Sequence, residues 1–361
     1  MSGERNILVY RLGSLGDTIV ALPCFHLLQR AFPHAEFTLL TNRPESGKTA
    51  PIEMILGRGL FYHDVIDYPT GTRDWKVFAG LVSEIRRRRI DTAVNLCAAR
   101  GPRAALRDRI FFHAAGVHRQ IGWPVQPRDF QLIDNPVTGL KESETQRLLR
   151  RIESLGKPDL KDAEWWDLKL TPGELAEAEM LTSHHRGHPT LTVALGTKMQ
   201  SKDWGESNWR ILIDRLSEKL CGWGLILIGA ADEMGRSERC SSGWRGPVTN
   251  LCGRVTPRVA AAAMTGSAAF IGHDSGPMHL AAARGVPCVA VFSGRNEPGH
   301  WDPRGECNRI IRHRTECAGC GLEVCVKERT RCLTSILPSE VETAVLELLD
   351  TPPSPSRTTH G

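Results

Sequence analysis

The chain reads as an α/β protein of two doubly wound, Rossmann-like domains, and three observations predict it. Apolar β-rich runs alternate with helical segments in each half. Each half also carries a strand that ends in a small-residue turn and leads into a helix: residues 7–10 before Gly13 and Gly16, and residues 268–272 before Ser275 and Gly276. At 361 residues, the chain is long enough to build two hydrophobic cores.

In the first half, strands are expected at 7–10, 36–40, 65–67 and 92–96, with helices at 17–31 and 75–89. Short buried runs between helices argue for a parallel sheet covered on both faces. From about 135 to 189 the alternation weakens, leaving helical segments at 142–154 and 172–185 around the Trp165-Trp166 pair. The domain boundary is placed near 158–189. In the second half, strands are expected at 190–195, 224–229, 248–251, 268–272 and 288–292. Helices are expected there at 208–220, 232–239, 258–265 and 277–284. The expected division is an N-terminal domain over 1–165, a C-terminal domain over 186–337, a closing helix at 338–350 and a disordered Pro/Ser/Thr-rich tail at 351–361.

Composition narrows the class. A hydrophobic fraction of 41% is ordinary for a globular protein, and no apolar run approaches the roughly 20 residues of a membrane span. The polar residues 1–5 lead straight into a strand, so no signal peptide is expected and the location is read as cytoplasmic. The net charge of +5 is concentrated in Arg86-Arg87-Arg88-Arg89 and in Arg100, Arg103, Arg107 and Arg109. Such a run is either a solvated helix face or a surface for an anionic membrane or phosphorylated acceptor. No nucleic-acid module accompanies it, so nucleic acid is not an expected partner.

Among the 11 cysteines, Cys24, Cys97, Cys221, Cys252 and Cys288 lie in apolar contexts and read as small core residues in a reducing compartment. Cys317, Cys320, Cys325 and Cys332 are spaced like ligands and could make a structural, non-catalytic zinc site. Their second pair is wider than a CxxC, so disulfide pairing and plain buried thiols stay open as alternatives.

Two segments carry chemistry. In Ile271-Gly272-His273-Asp274-Ser275-Gly276-Pro277-Met278-His279, small residues let a turn approach a ligand, and the N–H groups of the helix start favour a diphosphate. In Arg11-Leu12-Gly13-Ser14-Leu15-Gly16-Asp17, a carboxylate opens a helix. One such site in each half suggests a ligand held between two domains, as in a transferase. The Gly13-x-x-Gly16 spacing disfavours a dehydrogenase, which would carry G-x-G-x-x-G.

These two segments, with Leu22-Pro23, the stretch from Lys198 to Trp209, and the strand–turn Leu227-Ile228-Gly229-Ala230 leading to Glu233, resemble glycosyltransferase family 9, the ADP-heptose:lipopolysaccharide heptosyltransferases. The likeness runs from residue 5 to about 350. It implies the GT-B fold, two Rossmann-like domains facing a central cleft, and an inverting, metal-independent sugar transfer without a cofactor. It also implies an N-terminal domain for the acceptor and a C-terminal domain for the nucleotide sugar, here ADP-heptose.

By the same resemblance Asp17 is the general base for the acceptor hydroxyl, with Gly13 and Gly16 keeping the backbone close to both substrates. Lys202 (with Lys198 as an alternative) and Thr197 contact the phosphates. Ser275, Gly276 and Met278 present donors to the diphosphate, Asp274 holds the sugar or orders the loop, and Glu233 accepts from ribose hydroxyls. His279 is divided between ligand contact and a structural role. Three of the others also have a plain reading: helix cap for Asp17, surface residue for Lys202 and Glu233. Arg100 and Arg103 are expected to hold a lipopolysaccharide-type glycolipid, with peripheral contact at the inner membrane. The run Ser293-Gly294-Arg295-Asn296-Glu297-Pro298 departs from the family's small-residue and Thr-containing loop, leaving the sugar open. A nucleotide-sugar epimerase and a non-catalytic nucleotide-sugar scaffold are the competing readings.

Overall fold

The computed structural model describes residues 6–42, 50–69, 71–72 and 74–351. The chain divides into two compact units, one of residues 1–169 with 298–301, the other of 170–297 with 302–361. The tail expected to be disordered lies, beyond residue 351, outside the described residues.

In the first unit, β1 (Asn6–Tyr10), β2 (Glu36–Asn42), β3 (Asp64–Tyr68), β4 (Thr92–Asn95) and β5 (Arg119–Ile121) form one sheet in the order β3-β2-β1-β4-β5. Every pairing is parallel. β1 is central, and its Ile7, Leu8 and Val9 are fully buried because helices cover both faces. The helices are α1 (Leu15–Val20), α2 (Leu22–Ala31), α3 (Glu53–Leu56), α4 (Trp75–Arg87), α5 (Pro102–Ala114) and α6 (Glu144–Arg151). The single helix expected at 17–31 is two: α1 ends at Ala21, which also opens α2, and Pro23 sits in the first turn of α2. Proline has no N–H to continue a helical ladder but fits a first turn, so it fixes the break.

In the second unit, β6 (Thr190–Ala194), β7 (Gly224–Leu227), β8 (Val248–Asn250), β9 (Ala269–His273), β10 (Cys288–Phe292) and β11 (Arg309–Arg312) run in the order β11-β10-β9-β6-β7-β8. All of these pairings are parallel too. The helices are α7 (Pro172–Thr182), α8 (Glu206–Lys219), α9 (Met234–Ser241), α10 (Pro257–Ala263), α11 (Gly276–Ala283), α12 (Arg331–Thr334) and α13 (Pro338–Asp350). A core of Trp204, Trp209, Leu212, Ile271, Val291 and Val345 joins sheet and helices, so α13 packs as part of this unit.

The division at 169/170 falls inside the boundary region of 158–189, with residues 298–301 assigned to the first unit and 302–361 to the second. α7 belongs to the second unit because Glu174, which accepts from the Thr171 N–H as part of its capping box, also takes Arg258 of α10 at 2.6 and 3.0 Å. Arg258 is buried, and an ion pair out of water needs such bidentate geometry. Residues 298–301 belong to the first unit through the Lys141 N–H on the Pro298 carbonyl, the Glu144 N–H on the His300 carbonyl, and His300 Nε2 donating to Glu144 at 2.9 Å. Nothing local in the sequence announces that excursion.

Candidate functional site

In each sheet the strand order reverses beside the first strand of its unit, between β1 and β4 and between β6 and β9. Crevices at such switch points, outside the carboxyl ends of the strands, are where open α/β sheets bind ligands. Both glycine turns singled out in the sequence follow these strands.

In the first unit the loop after β1 is built around Asp17. Its Oδ2 accepts from the Ser14 N–H and from Ser14 Oγ, each at 2.8 Å. Its Oδ1 lies 3.9 Å from the guanidinium of Arg11. Arg11 is almost wholly buried; it donates to the Leu96 carbonyl beyond β4 and to the Asp17 carbonyl, and its Nε has no partner among the described residues. One buried cation thus fixes both sides of the switch point. Gly13, whose N–H donates to Asn42 Oδ1, has φ +135°. A Cβ there would stand 2.5 Å from Asp17 Cβ and 2.8 Å from Oδ2. Gly16 is buried in the first turn of α1. Gly13→Ala is therefore expected to displace the carboxylate and strain the turn, by about 1–3 kcal/mol, and to lower turnover more than tenfold. Turnover equal to the parent enzyme would show that the placement of Asp17 is immaterial.

The second switch point gathers two segments 72 residues apart. Lys202, on the turn after β6, places Nζ 2.7 Å from Asp274 Oδ2 and 3.0 Å from the Asp274 carbonyl oxygen. Asp274 is buried at the end of β9, and Asn296 donates to the same Oδ2 at 2.9 Å. The start of α11 has no side-chain cap: Ser275 is its N-cap, and Ser275 and Gly276 are partly exposed. The Met278 N–H, an expected donor to the diphosphate, donates to the Ser275 carbonyl at 3.2 Å, and its side chain is fully buried. His279 is also buried, on the packed side of α11. Thr197 is half-buried in the loop after β6, whereas Lys198 is exposed. Glu233 accepts from the Ala230 N–H at 3.0 Å and lies against Gly196, where a Cβ would meet its carboxylate at 1.7 Å. The β6 and β7 loop ends therefore meet at this acid.

His273 gained no role from the sequence, yet it ties the loops together. Its Nε2 accepts from the Trp204 N–H at 3.0 Å and its Nδ1 faces the Gly196 carbonyl at 3.3 Å, so Nδ1 carries the proton. Complete burial drives its pKa down to about 4. The unfolded chain, with a histidine pKa of about 6.5, binds the proton first on acidification. Stability is thus intact above that value and falls as the pH drops towards about 4, by on the order of 3 kcal/mol in all. The urea midpoint is expected to fall steeply between pH 7 and 5, and less steeply for His273→Asn. An unchanged slope would place the acid sensitivity elsewhere.

The remaining expected residues are less poised. Arg100 donates to Tyr10 Oη at 2.8 Å and to Asp108 at 2.7 Å, so it is already committed. Arg103 is exposed on α5. Much of the arginine run is also internal structure: Arg86 holds the Ala114 carbonyl, Arg87 pairs with Glu84, and Arg88 pairs with Glu84 and Asp64. Cys317, Cys320, Cys325 and Cys332 are free thiols. Among the described residues no group of three or more histidine, cysteine or acidic side chains could hold a metal, so the four do not form the zinc set their spacing suggested. Cys320 is exposed, and Cys317, Cys325 and Cys332 are partly buried. Arg11 and Asn296 are functional candidates with no sequence signal of their own beyond Asn296's place in the loop that departs from the family pattern.

Two parallel Rossmann-like units, with the buried Arg11 at one switch point and the partly buried Lys202 beside an uncapped helix start at the other, define a double-Rossmann protein of the GT-B class. The chain belongs to glycosyltransferase family 9 (heptosyltransferase), whose model matches residues 110–330. It is 29% identical over 195 residues to lipopolysaccharide heptosyltransferase 1 of Pseudomonas aeruginosa, covering 49% of this chain and 52% of that protein. The match therefore spans about half of that relative's length. The solved glycosyl transferase family 9 structure from Veillonella parvula superposes with a TM-score of 0.70 at 17% identity, covering 97% of this chain and 98% of that one. E. coli ADP-heptose lps heptosyltransferase II gives 0.65 at 20%, with 95% and 98% covered. At those identities the solved structures establish the fold.

Proposed function

We propose that the protein transfers a heptose from ADP-heptose to a lipopolysaccharide core acceptor, with inversion and without metal. The observation that carries this reading is the Lys202–Asp274 pair at the β6/β9 switch point, beside the uncapped start of α11, in a family 9 chain. A diphosphate there would meet a fixed ammonium and helix-start N–H groups, which stabilise the charge of a departing nucleoside diphosphate. Asp17 takes the proton of the acceptor hydroxyl as its oxygen bonds the anomeric carbon and the sugar–phosphate bond breaks, releasing ADP. One carboxylate suffices for such a single displacement. Ser14 and Arg11 hold it in place, leaving Oδ1 as the oxygen without a close donor among the described contacts.

On the acceptor side, Arg103 remains available on α5. That helix also exposes Leu106 and Ile110 one turn apart, and α4, whose Phe78 meets Phe111 of α5 edge-on, exposes Trp75 and Phe78. A mixed basic and apolar face suits peripheral contact with an anionic membrane. No described helix is long and apolar enough to cross one.

A thermal-shift panel with ADP, UDP, GDP and NAD tests the donor. A nucleotide at 100 times its dissociation constant adds about 2.7 kcal/mol, or roughly 2–4 °C. A selective ADP response is expected. A UDP or GDP response would replace the donor, and a changed sugar with donor alone would favour epimerisation.

A further inference from the structure

We propose that Asn296 is a positioning residue for the donor site, fixing the Asp274 carboxylate and through it the Lys202 ammonium. The inference rests on the donor reading above. Asn296 has both ends of its amide assigned: Nδ2 donates to Asp274 Oδ2 at 2.9 Å, and Oδ1 accepts from Arg295 Nη1 at 3.1 Å. Flipping the amide would set its oxygen against a carboxylate and its NH2 against a guanidinium, so the charges on either side lock one orientation. The resulting chain runs Arg295, Asn296, Asp274, Lys202, alternating donor and acceptor at every contact.

The backing of this chain is also built. Arg295 donates to the Leu322 carbonyl at 2.8 Å and the Gly321 carbonyl at 2.7 Å, while the Gly321 N–H returns to the Arg295 carbonyl. The same stretch holds the turn of Lys202 from its other side. Ser201 Oγ donates to the Leu322 carbonyl, the Ser201 N–H to the Glu323 carbonyl, and the Cys325 N–H to Gln200 Oε1. Residues 319–325 thus brace both arms that reach Asp274, which assigns the cysteine-rich segment a scaffolding part without requiring a metal. Without Asn296, the carboxylate keeps Lys202 but loses the donor that sets its rotation, and the ammonium is no longer held where a phosphate would meet it.

The test is ADP binding, by calorimetry, to the parent protein, Asn296→Ala and Asn296→Asp at pH 8 and 5.5, with UDP and GDP as parallel probes. Asn296→Ala is expected to weaken ADP about three- to tenfold at both pH values. Asn296→Asp sets a second carboxylate against Asp274 and competes for Lys202, so a loss above tenfold is expected at pH 8. Protonation of that near-isosteric acid restores a donor to Asp274, against the opposing charges of Arg295 and Lys202, and the deficit should narrow at least threefold at pH 5.5. A merely structural role would leave the deficit unchanged with pH. Parent-like binding by both variants at pH 8, or a pH-independent deficit in Asn296→Asp, overturns the proposal while the donor reading stands. Failure of the parent protein to bind ADP, UDP or GDP overturns both.

Discussion

Asp17→Asn is expected to lower sugar transfer by at least about 100-fold while ADP binding stays within twofold of the parent protein, because general-base catalysis contributes about 10²–10⁴. The substitution is nearly isosteric, so the Ser14 Oγ hydrogen bond to Oδ can persist and the turn is not emptied. What disappears is the lone pair that accepts the acceptor's proton, and with it the negative charge facing Arg11. The effect should fall on kcat rather than on the donor's KM, since the base acts in the transition state. Turnover within threefold of the parent would remove Asp17 from the chemistry and leave it as a helix cap.

Lys202→Met is expected to reduce kcat by about 10²–10³ and weaken ADP, the scale found when one fixed donor to a developing charge is removed. It should also destabilise the second unit. Asp274 is buried and would lose its cation, and stranding a buried charge costs about 3–5 kcal/mol. The two effects separate in the double variant Lys202→Met/Asp274→Asn, whose buried amide carries no charge. Its stability should largely return while its turnover does not. If restoring stability also restores turnover, Lys202 serves the fold alone.

The parts of this molecule readable from sequence are those with local signals. β1, β6, β9 and β10 are short apolar runs bounded by turns, and both glycine turns sit where a strand meets a helix, so their positions followed from period and turn chemistry. The short edge strands β5 and β11 carry arginines and no buried run, so nothing distinguished them from loop. The break at Ala21 was obscured because the helical pattern continues on either side of Pro23. Long-range pairing was out of reach. Lys202 could be named as a phosphate ligand by resemblance, but its partner lies 72 residues away. Arg11 carries no local signal in the sequence, because its partner, the Leu96 carbonyl, lies 85 residues away across the switch point. The cysteine spacing pointed to zinc, but among the described residues no group of three or more candidate ligands is placed to hold a metal, and the segment's carbonyls and N–H groups make contacts instead.

The most direct test of heptosyl transfer is ADP release from ADP-heptose with and without a lipopolysaccharide core acceptor, followed to the anomeric configuration of the product by NMR. The account predicts release that depends on the acceptor, with the sugar joined to the glycolipid at an inverted anomeric carbon. Release that ignores the acceptor, or a product of retained configuration, would contradict it.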